Sequence, residues 1–183
     1  QLKVNQNREN VLAKLKALPE LVNELNASQP GADLTISIAF TKSFWQHLNM
    51  QMPEELIDFP ELGEGDVIAP ASDVDVLIHC HSTRHDLHFY VLRKFLVDTA
   101  EDVTVVDETY GYRYLDARDM TDFVDGTENP KGDARADVAL IKDGAFAGGS
   151  YVMVQRFEHN LPAWNRLNVS AQEKVIGRTK PDS

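Results

Sequence analysis

The sequence lacks the features that mark a disulfide-stabilised, membrane-spanning or nucleic-acid-binding protein. Cys80 is the one cysteine in 183 residues, so no internal disulfide can form, and we predict a reducing compartment, the cytoplasm. No apolar run approaches the ~20 residues that cross a membrane. Lysine and arginine are scattered without a basic run, and the formal net charge is −11. This charge argues against nucleic acid or an anionic membrane surface as a partner.

Apolar residues make up 43% of the chain, enough for a packed core, and their spacing predicts helices and strands. Spacings of four and three from Val11 to Leu25 predict a first helix, which Pro19 should kink or restart. A short helix is predicted around Phe44, and the Pro- and Gly-rich residues 50–70 predict an irregular connection. The predicted strands cover Leu34 to Phe40, Val74 to His81 and Val103 to Leu115, and a second long helix covers residues 83–98.

The order of these elements predicts the fold class. If Gln1 to Val4 ends a strand, the order through Leu115 is β-α-β-β-α-β, the split βαβ plan of a ferredoxin-like, antiparallel α+β unit. Ser150 to Phe157 predicts a further strand, followed by a helix from Pro162 and another, with a capping-box pattern at Ser170 to Glu173. We therefore expect a first ferredoxin-like unit over 1–115, a connecting loop over 116–149, and the opening strand and helix of a second unit over 150–183, with the polypeptide clipped at both ends.

The segment HCHSTRHDLH concentrates four histidines and the cysteine. A metal site is one interpretation, because His79 and His81 share a strand face while His85 and His88 share a helix face. The same alternation places Cys80 on the opposite, core-facing side, and no Cys-x-x-Cys or His-Glu-x-x-His pattern is present. We favour a strand-to-helix corner with solvated or capping histidines, and we assign no metal ligand.

The stretch Asp122 to Gly132, DFVDGTENPKG, packs three carboxylates, two glycines and a proline into eleven residues. Asp125-Gly126 supports a tight turn with positive φ at Gly126, and Pro130 forces Asn129 toward extended geometry. The glycine would let the backbone approach a flat or bulky ligand, and Asp125 would point into the same space. From the residues alone, a well-capped surface turn and a rigid loop that places one carboxylate near a ligand both remain open.

DFVDGTENP closely resembles the Gly-x-x-Asp-Gly motif of the dye-decolorizing haem peroxidases. The resemblance covers nearly the whole chain, and the motif is far more specific than a lone GxGxxG. The motif's first glycine is Asp122 here, whereas its aspartate aligns with Asp125. Other segments similar to the family are the strand from Asp33 to Phe40, Arg84 to Asp86, Gly132, Val138 to Leu140, and Gly149 to Tyr151.

The resemblance implies an enzyme that uses hydrogen peroxide to oxidise organic reductants such as dyes, with haem b as cofactor. In the family, two ferredoxin-like units pack together, haem binds in the second, and the loop between them covers the distal face. Carried over, Asp125 is the distal acid–base residue, and Gly126, Thr127 and Glu128 line the haem, largely through their backbone. The proximal iron ligand and the distal arginine are expected beyond residue 183, because His159 does not match the ligand position.

The resemblance also implies partners and leaves alternative functions open. Hydrogen peroxide and a small-molecule reductant are the expected substrates, the protein is expected to form a homo-oligomer, and an encapsulating shell is a further partner found in the family. One alternative is a haem-binding or haem-handling protein with little peroxidase turnover, and another is a dimeric α+β interaction module without a cofactor. We expect residues 1–183 alone to be inactive, because the iron ligand would lie outside them.

Overall fold

The computed structural model describes residues 1–181, which divide between Glu108 and Thr109 into two compact units. The predicted partition into 1–115, 116–149 and 150–183 stays a prediction, and its last two residues, 182 and 183, lie outside the described residues. No helix within residues 1–181 is both long and apolar enough to cross a membrane.

A four-stranded antiparallel sheet is the frame of the first unit. In chain order the strands are β1 (Leu2–Val4), β2 (Thr35–Phe40), β3 (Leu62–Glu64), β4 (Val67–Ala69), β5 (Val76–His81) and β6 (Val103–Val105). The sheet order is β2-β5-β1-β6, with β1 inside it, and β2 pairs with β5 from Thr35↔His81 to Phe40↔Val76. This order is that of a ferredoxin-like fold, so the predicted fold class and the predicted inner strand at the start of the chain are confirmed.

Helices α1 (Arg8–Ser28), α2 (Lys42–Gln46) and α3 (His85–Thr99) complete the first unit. They bury the apolar stripes that the sequence predicts, and the core contains Val11, Leu15, Leu18, Val22, Phe44, Val76, Leu87, Val91 and Phe95. Of the two outcomes expected at Pro19, the restart is wrong, because α1 continues through that residue, and the kink stays a prediction. Leu18 and Val22 are buried on either side of Pro19, and this packing offsets the backbone hydrogen bond that proline removes.

Two other predictions for the first unit need correction. Residues 62–69 form the β3–β4 hairpin inside the stretch predicted to be irregular. Strand β6 ends at Val105, although the apolar pattern predicts a strand to Leu115. Its partner β1 pairs with it over three residues, and beyond the bonds to Gln1 no described segment continues the ladder. Tyr110 and Tyr112 are therefore exposed loop residues and share no strand face.

The second unit contains helices α4 (Ala134–Ala139), α5 (Leu161–Trp164) and α6 (Val169–Ile176). The predicted helices after Pro162 and up to Gly177 are thereby confirmed, whereas α4 lies in a region predicted to be loop. The predicted strand over Ser150 to Phe157 is not formed. Alternation supplies suitable side chains, but a strand also needs a hydrogen-bonded neighbour, and no part of residues 1–181 pairs with this segment.

A small hairpin over residues 117–125 carries the DFVDGTENP motif. Its strands are joined by bonds from Asp119 N to Phe123 O, 2.9 Å, and from Asp125 N to Ala117 O, 2.8 Å. At the tip, Asp122 N donates to Asp119 O at 3.0 Å, and Asp122 has a left-handed φ of 68°. A left-handed residue at the end of a hairpin turn favours glycine, and aspartate is among the few other residues that tolerate it. The position where the family motif carries glycine thus keeps a glycine-like backbone.

Substitutions at Asp122 should reveal this backbone constraint. Glycine and alanine both remove the carboxylate, but only alanine has a Cβ that disfavours positive φ. We expect the free energy of unfolding of D122G to exceed that of D122A by about 1 kcal/mol in urea denaturation.

Asp137 in α4 provides the matched control, because alanine is more favourable than glycine within a helix. The free energy of unfolding of D137A should therefore exceed that of D137G by about 1 kcal/mol. If D122A equals or exceeds D122G in stability, the left-handed conformation at position 122 does not govern this turn.

Candidate functional site

Asp125 lies at the end of the hairpin, where the chain enters a second turn. Its backbone is fixed by the bond to Ala117, while its side chain is exposed. Within residues 1–181 the Asp125 carboxylate makes no hydrogen bond and no ion pair. The arrangement is a fixed backbone that carries a carboxylate with no hydrogen-bond partner among the described residues, so this carboxylate can accept a hydrogen bond from a bound molecule.

Gly126 is required by the geometry of the turn itself. It has a φ of 70°, and Asn129 N donates to its carbonyl oxygen at 3.1 Å. A Cβ on this residue would lie 2.9 Å from the Asn129 side-chain nitrogen. The glycine is therefore explained by its own loop, and its expected role in the approach of a ligand stays a prediction.

The remaining predicted residues differ in their surroundings. Thr127 is half-buried, and its Oγ1 accepts a hydrogen bond from Arg178 Nη1 at 3.0 Å. Glu128 is exposed and, like Asp125, its carboxylate makes no hydrogen bond or ion pair to the described part of the chain. Asp122, in contrast, accepts a bond from the Tyr114 hydroxyl at 3.3 Å and lies 3.7 Å from Lys180 Nζ. Burial, and then the Asp122 carboxylate, raises the pKa of Tyr114.

The hairpin is anchored by the fully buried side chain of Phe123. The Trp164 ring packs against it at a centroid distance of 6.1 Å, and the Lys180 ammonium lies 5.6 Å from the Phe123 centroid. Trp164 Nε1 also donates to Thr121 O at 3.3 Å. Ring packing and a hydrogen bond to the backbone thus hold the hairpin in place.

Two arginines bind backbone carbonyl groups of the hairpin. Arg118 Nη1 donates to Asp122 O at 2.7 Å and to Lys180 O at 3.1 Å. Arg178 Nη1 donates to Val124 O at 3.3 Å, in addition to its bond to Thr127. Sequence reasoning missed Arg178 and Trp164 because each binds a residue more than forty positions away, and it missed Arg118 because no local motif marks its bond to the carbonyl of Asp122.

The predicted capping box at Ser170 is wrong. Helix α6 begins after Asn168, whose side-chain oxygen accepts a bond from Ala171 N at 2.9 Å. Glu173 instead accepts a bond from Lys180 N at 2.9 Å. Asn168 is as good a cap as serine and lies two residues before Ser170, so the helix begins there.

The histidine-rich corner has the predicted orientation. Cys80 packs against the core, and burial raises the pKa of its thiol, while His79 and His81 are exposed. The rings of His85 and His88 lie 5.6 Å apart, and the pKa of His88 is lowered by burial and then by His85. Across the described residues, no three His, Cys, Asp or Glu side chains are grouped to hold a metal ion.

The sequence is similar to those of characterised peroxidases. The chain is 37% identical over 171 residues to the dye-decolorizing peroxidase of Mycobacterium tuberculosis, an alignment that covers 92% of this chain and 51% of the relative. The chain thus spans about half the length of this curated relative.

Solved structures agree with the sequence comparison. The chain matches a dye-decolorizing protein from V. cholerae with a TM-score of 0.97 and 72% identity, covering 100% of this chain and 62% of that one. It matches the encapsulated DyP-type peroxidase of Mycobacterium smegmatis with a TM-score of 0.91 and 36% identity, over 99% and 60%. It also matches a DypB variant of Rhodococcus jostii RHA1 in complex with heme, with a TM-score of 0.88 and 36% identity, over 99% and 60%.

Family models cover both units. The Dyp-type peroxidase N-terminal model matches residues 2–113, and the C-terminal model matches residues 116–183. Together with the ferredoxin-like sheet and the motif hairpin, these matches lead to one conclusion: the chain belongs to the Dyp-type peroxidase family.

Proposed function

We propose that the protein is a haem-dependent peroxidase that uses hydrogen peroxide to oxidise organic reductants such as dyes, with Asp125 as its acid–base residue. Family membership supports the reaction class, and the haem complex of the Rhodococcus relative supports the cofactor. The observation that carries the proposal is the exposed Asp125 carboxylate, which has no partner within residues 1–181 although the backbone beneath it is held at 2.8 Å by Ala117.

The residues of the turn could form a wall beside bound haem, but they do not supply a ligand for its iron. Residues 121–132 contain no histidine, cysteine or methionine. Gly126 and Thr127 are half-buried and small, so their backbone would form most of the contact, with Glu128 at the edge. We place the iron ligand in the portion of the relatives that this chain does not span, and the cofactor is haem b in this proposal.

Bound haem would supply the centre at which the peroxide bond is broken and from which oxidising equivalents pass to the reductant. The contribution of this chain is proton transfer. Asp125 accepts a proton from one oxygen of hydrogen peroxide and returns it to the other oxygen, which leaves as water. Because the carboxylate has no hydrogen-bond partner among residues 1–181, no bond to this part of the chain must be broken first. The fixed hairpin limits the positions that the carboxylate can adopt, which favours a productive geometry.

Partners and location form part of the same proposal. The expected small molecules are hydrogen peroxide and an organic reductant. Similarity to the encapsulated peroxidase of M. smegmatis supports association with an encapsulating shell, and a homo-oligomer is part of the proposal. The lone, partly buried Cys80 is consistent with the cytoplasm as the compartment.

Replacing Asp125 by asparagine should remove the proton acceptor and leave the loop in place. In the full-length, haem-loaded protein, we expect D125N to slow the peroxide-induced change of the haem absorption spectrum by about 100-fold or more. Haem binding should remain at the wild-type level. Stopped-flow absorbance measures the rate, and the absorbance of the resting protein measures the haem content.

D143N is the control for D125N, since it neutralises an exposed aspartate of the same unit to which no role in the site is assigned. Its rate should stay within about twofold of wild type, because a carboxylate outside the motif turn does not reach the peroxide. E128Q tests the other exposed carboxylate of the turn. Wild-type rates in D125N would remove Asp125 from the mechanism, and a large loss in E128Q alone would transfer the role to Glu128.

Turnover separates a peroxidase from a haem carrier. The haem-loaded full-length protein should bleach a dye in the presence of hydrogen peroxide at about 1 turnover per second or faster, as enzymes commonly do. Dye absorbance with and without peroxide measures the rate, and free haem at equal concentration is the control. Stoichiometric haem binding with turnover no faster than that of free haem would favour the carrier.

A further inference from the structure

Arg178 contacts the motif loop on both sides of Asp125. Its Nη1 donates to Val124 O at 3.3 Å and to Thr127 Oγ1 at 3.0 Å. Val124 precedes Asp125, and Thr127 follows Gly126, so one cation spans the short stretch that carries the proposed acid–base group. Hydrogen bonds from a charged donor are about twice as strong as neutral ones, which makes this contact a substantial restraint.

The hairpin geometry leaves the Val124 carbonyl group in need of a donor. Arg118 and Val124 face each other as an antiparallel pair, and the inter-strand bonds are made by their neighbours, Asp119 with Phe123 and Asp125 with Ala117. The carbonyl groups of residues 122 and 124 therefore point away from the partner strand. Arg118 binds the carbonyl of residue 122 and Arg178 binds that of residue 124.

The backbone around Arg178 is held on both sides. Gly177 ends α6 with a φ of 82°, and its N–H donates to Glu173 O at 2.7 Å. Two residues after Arg178, the N–H of Lys180 donates to the Glu173 carboxylate at 2.9 Å. The side chain of Arg178 is half-buried. The guanidinium thus leaves a fixed segment and reaches the loop as a restrained group, unlike a flexible surface arginine.

We propose that Arg178 is a positioning residue for Asp125. By holding Val124 and Thr127 it limits the motion of the intervening Asp125 and Gly126, and so keeps the carboxylate in one place without touching a substrate itself. The restraint on the loop backbone can be measured without reference to any reaction. Its effect on catalysis rests on the proposed function, so the restraint and the catalytic effect are measured separately.

Hydrogen exchange in the full-length protein tests the positional effect. In R178Q, the amides of Asp122, Asp125 and Asn129 should exchange roughly tenfold faster than in wild type, because two charge-assisted bonds are lost. R178K keeps a cationic donor and should restore most of the protection. R166Q, which removes an exposed arginine from the same unit, should change nothing, and the amides of β5 should exchange at wild-type rates in every variant.

T127V offers a second variant that leaves Arg178 intact. It removes one of the two acceptors with little change of shape, and the loop amides should exchange about threefold faster, a smaller change than in R178Q. Because valine preserves the size of threonine, this variant remains informative if R178Q does not fold. Wild-type exchange of the loop amides in both R178Q and T127V would overturn the inference.

Kinetics of the haem-loaded protein test the catalytic consequence. If Arg178 acts by placing Asp125, kcat/KM for hydrogen peroxide should fall about tenfold in R178Q, while kcat/KM for the dye changes by less than about twofold. R178K should recover the peroxide step. Equal loss in both constants, or no recovery in R178K, would overturn positioning as the role of Arg178. D125N tests the proposed function independently, since a failure there leaves the exchange results unchanged.

Discussion

Burial of the Phe123 side chain is the interaction on which the rest of the second unit depends. Full burial of a ring of this size stabilises by about 1.5–3 kcal/mol, which is large for a loop without a long helix or sheet beneath it. With Phe123 held against Trp164, the chain on either side must run as a hairpin, and the motif residues fall at its end. This surface turn is therefore held in one conformation by side-chain packing of the kind found in a hydrophobic core.

Residues 122–128 carry three carboxylates, and their surroundings differ. Asp122 accepts a hydrogen bond from the Tyr114 hydroxyl and pairs with Lys180, whereas the carboxylates of Asp125 and Glu128 make no hydrogen bond or ion pair among the described residues. Between the last two, the difference is in the backbone. Asp125 belongs to the hydrogen-bonded hairpin, while Glu128 lies in the turn that follows. The three carboxylates therefore differ in their hydrogen-bond partners and in how the backbone beneath them is held. Only Asp125 combines a hydrogen-bonded hairpin backbone with a carboxylate that has no partner among the described residues.

The sequence pattern predicted those elements whose formation depends on residues close together in the chain. Alternation identified β2 and β5, helical spacing identified α1, and Asp125-Gly126 identified the turn with positive φ. Two of the failures share one physical reason, which is dependence on a distant partner. The segment from Ser150 has the side chains of a strand without a neighbour to pair with, and the contact of Arg178 joins residues more than fifty positions apart. Neither a missing neighbour nor a distant acceptor is visible in a window of ten residues.

Strand β1 lies inside the sheet, yet it is made from the first residues of the chain. It pairs with Val76 of β5 and with Val103 to Val105 of β6, so its two neighbours are about 75 and about 100 residues away in sequence. During synthesis, β1 emerges long before either neighbour exists, and the sheet can close only when β6 has been made. Contacts of such long sequence separation slow folding, because the loop must close before any bond forms. The order of translation therefore sets a lower limit on when this unit can acquire its native sheet.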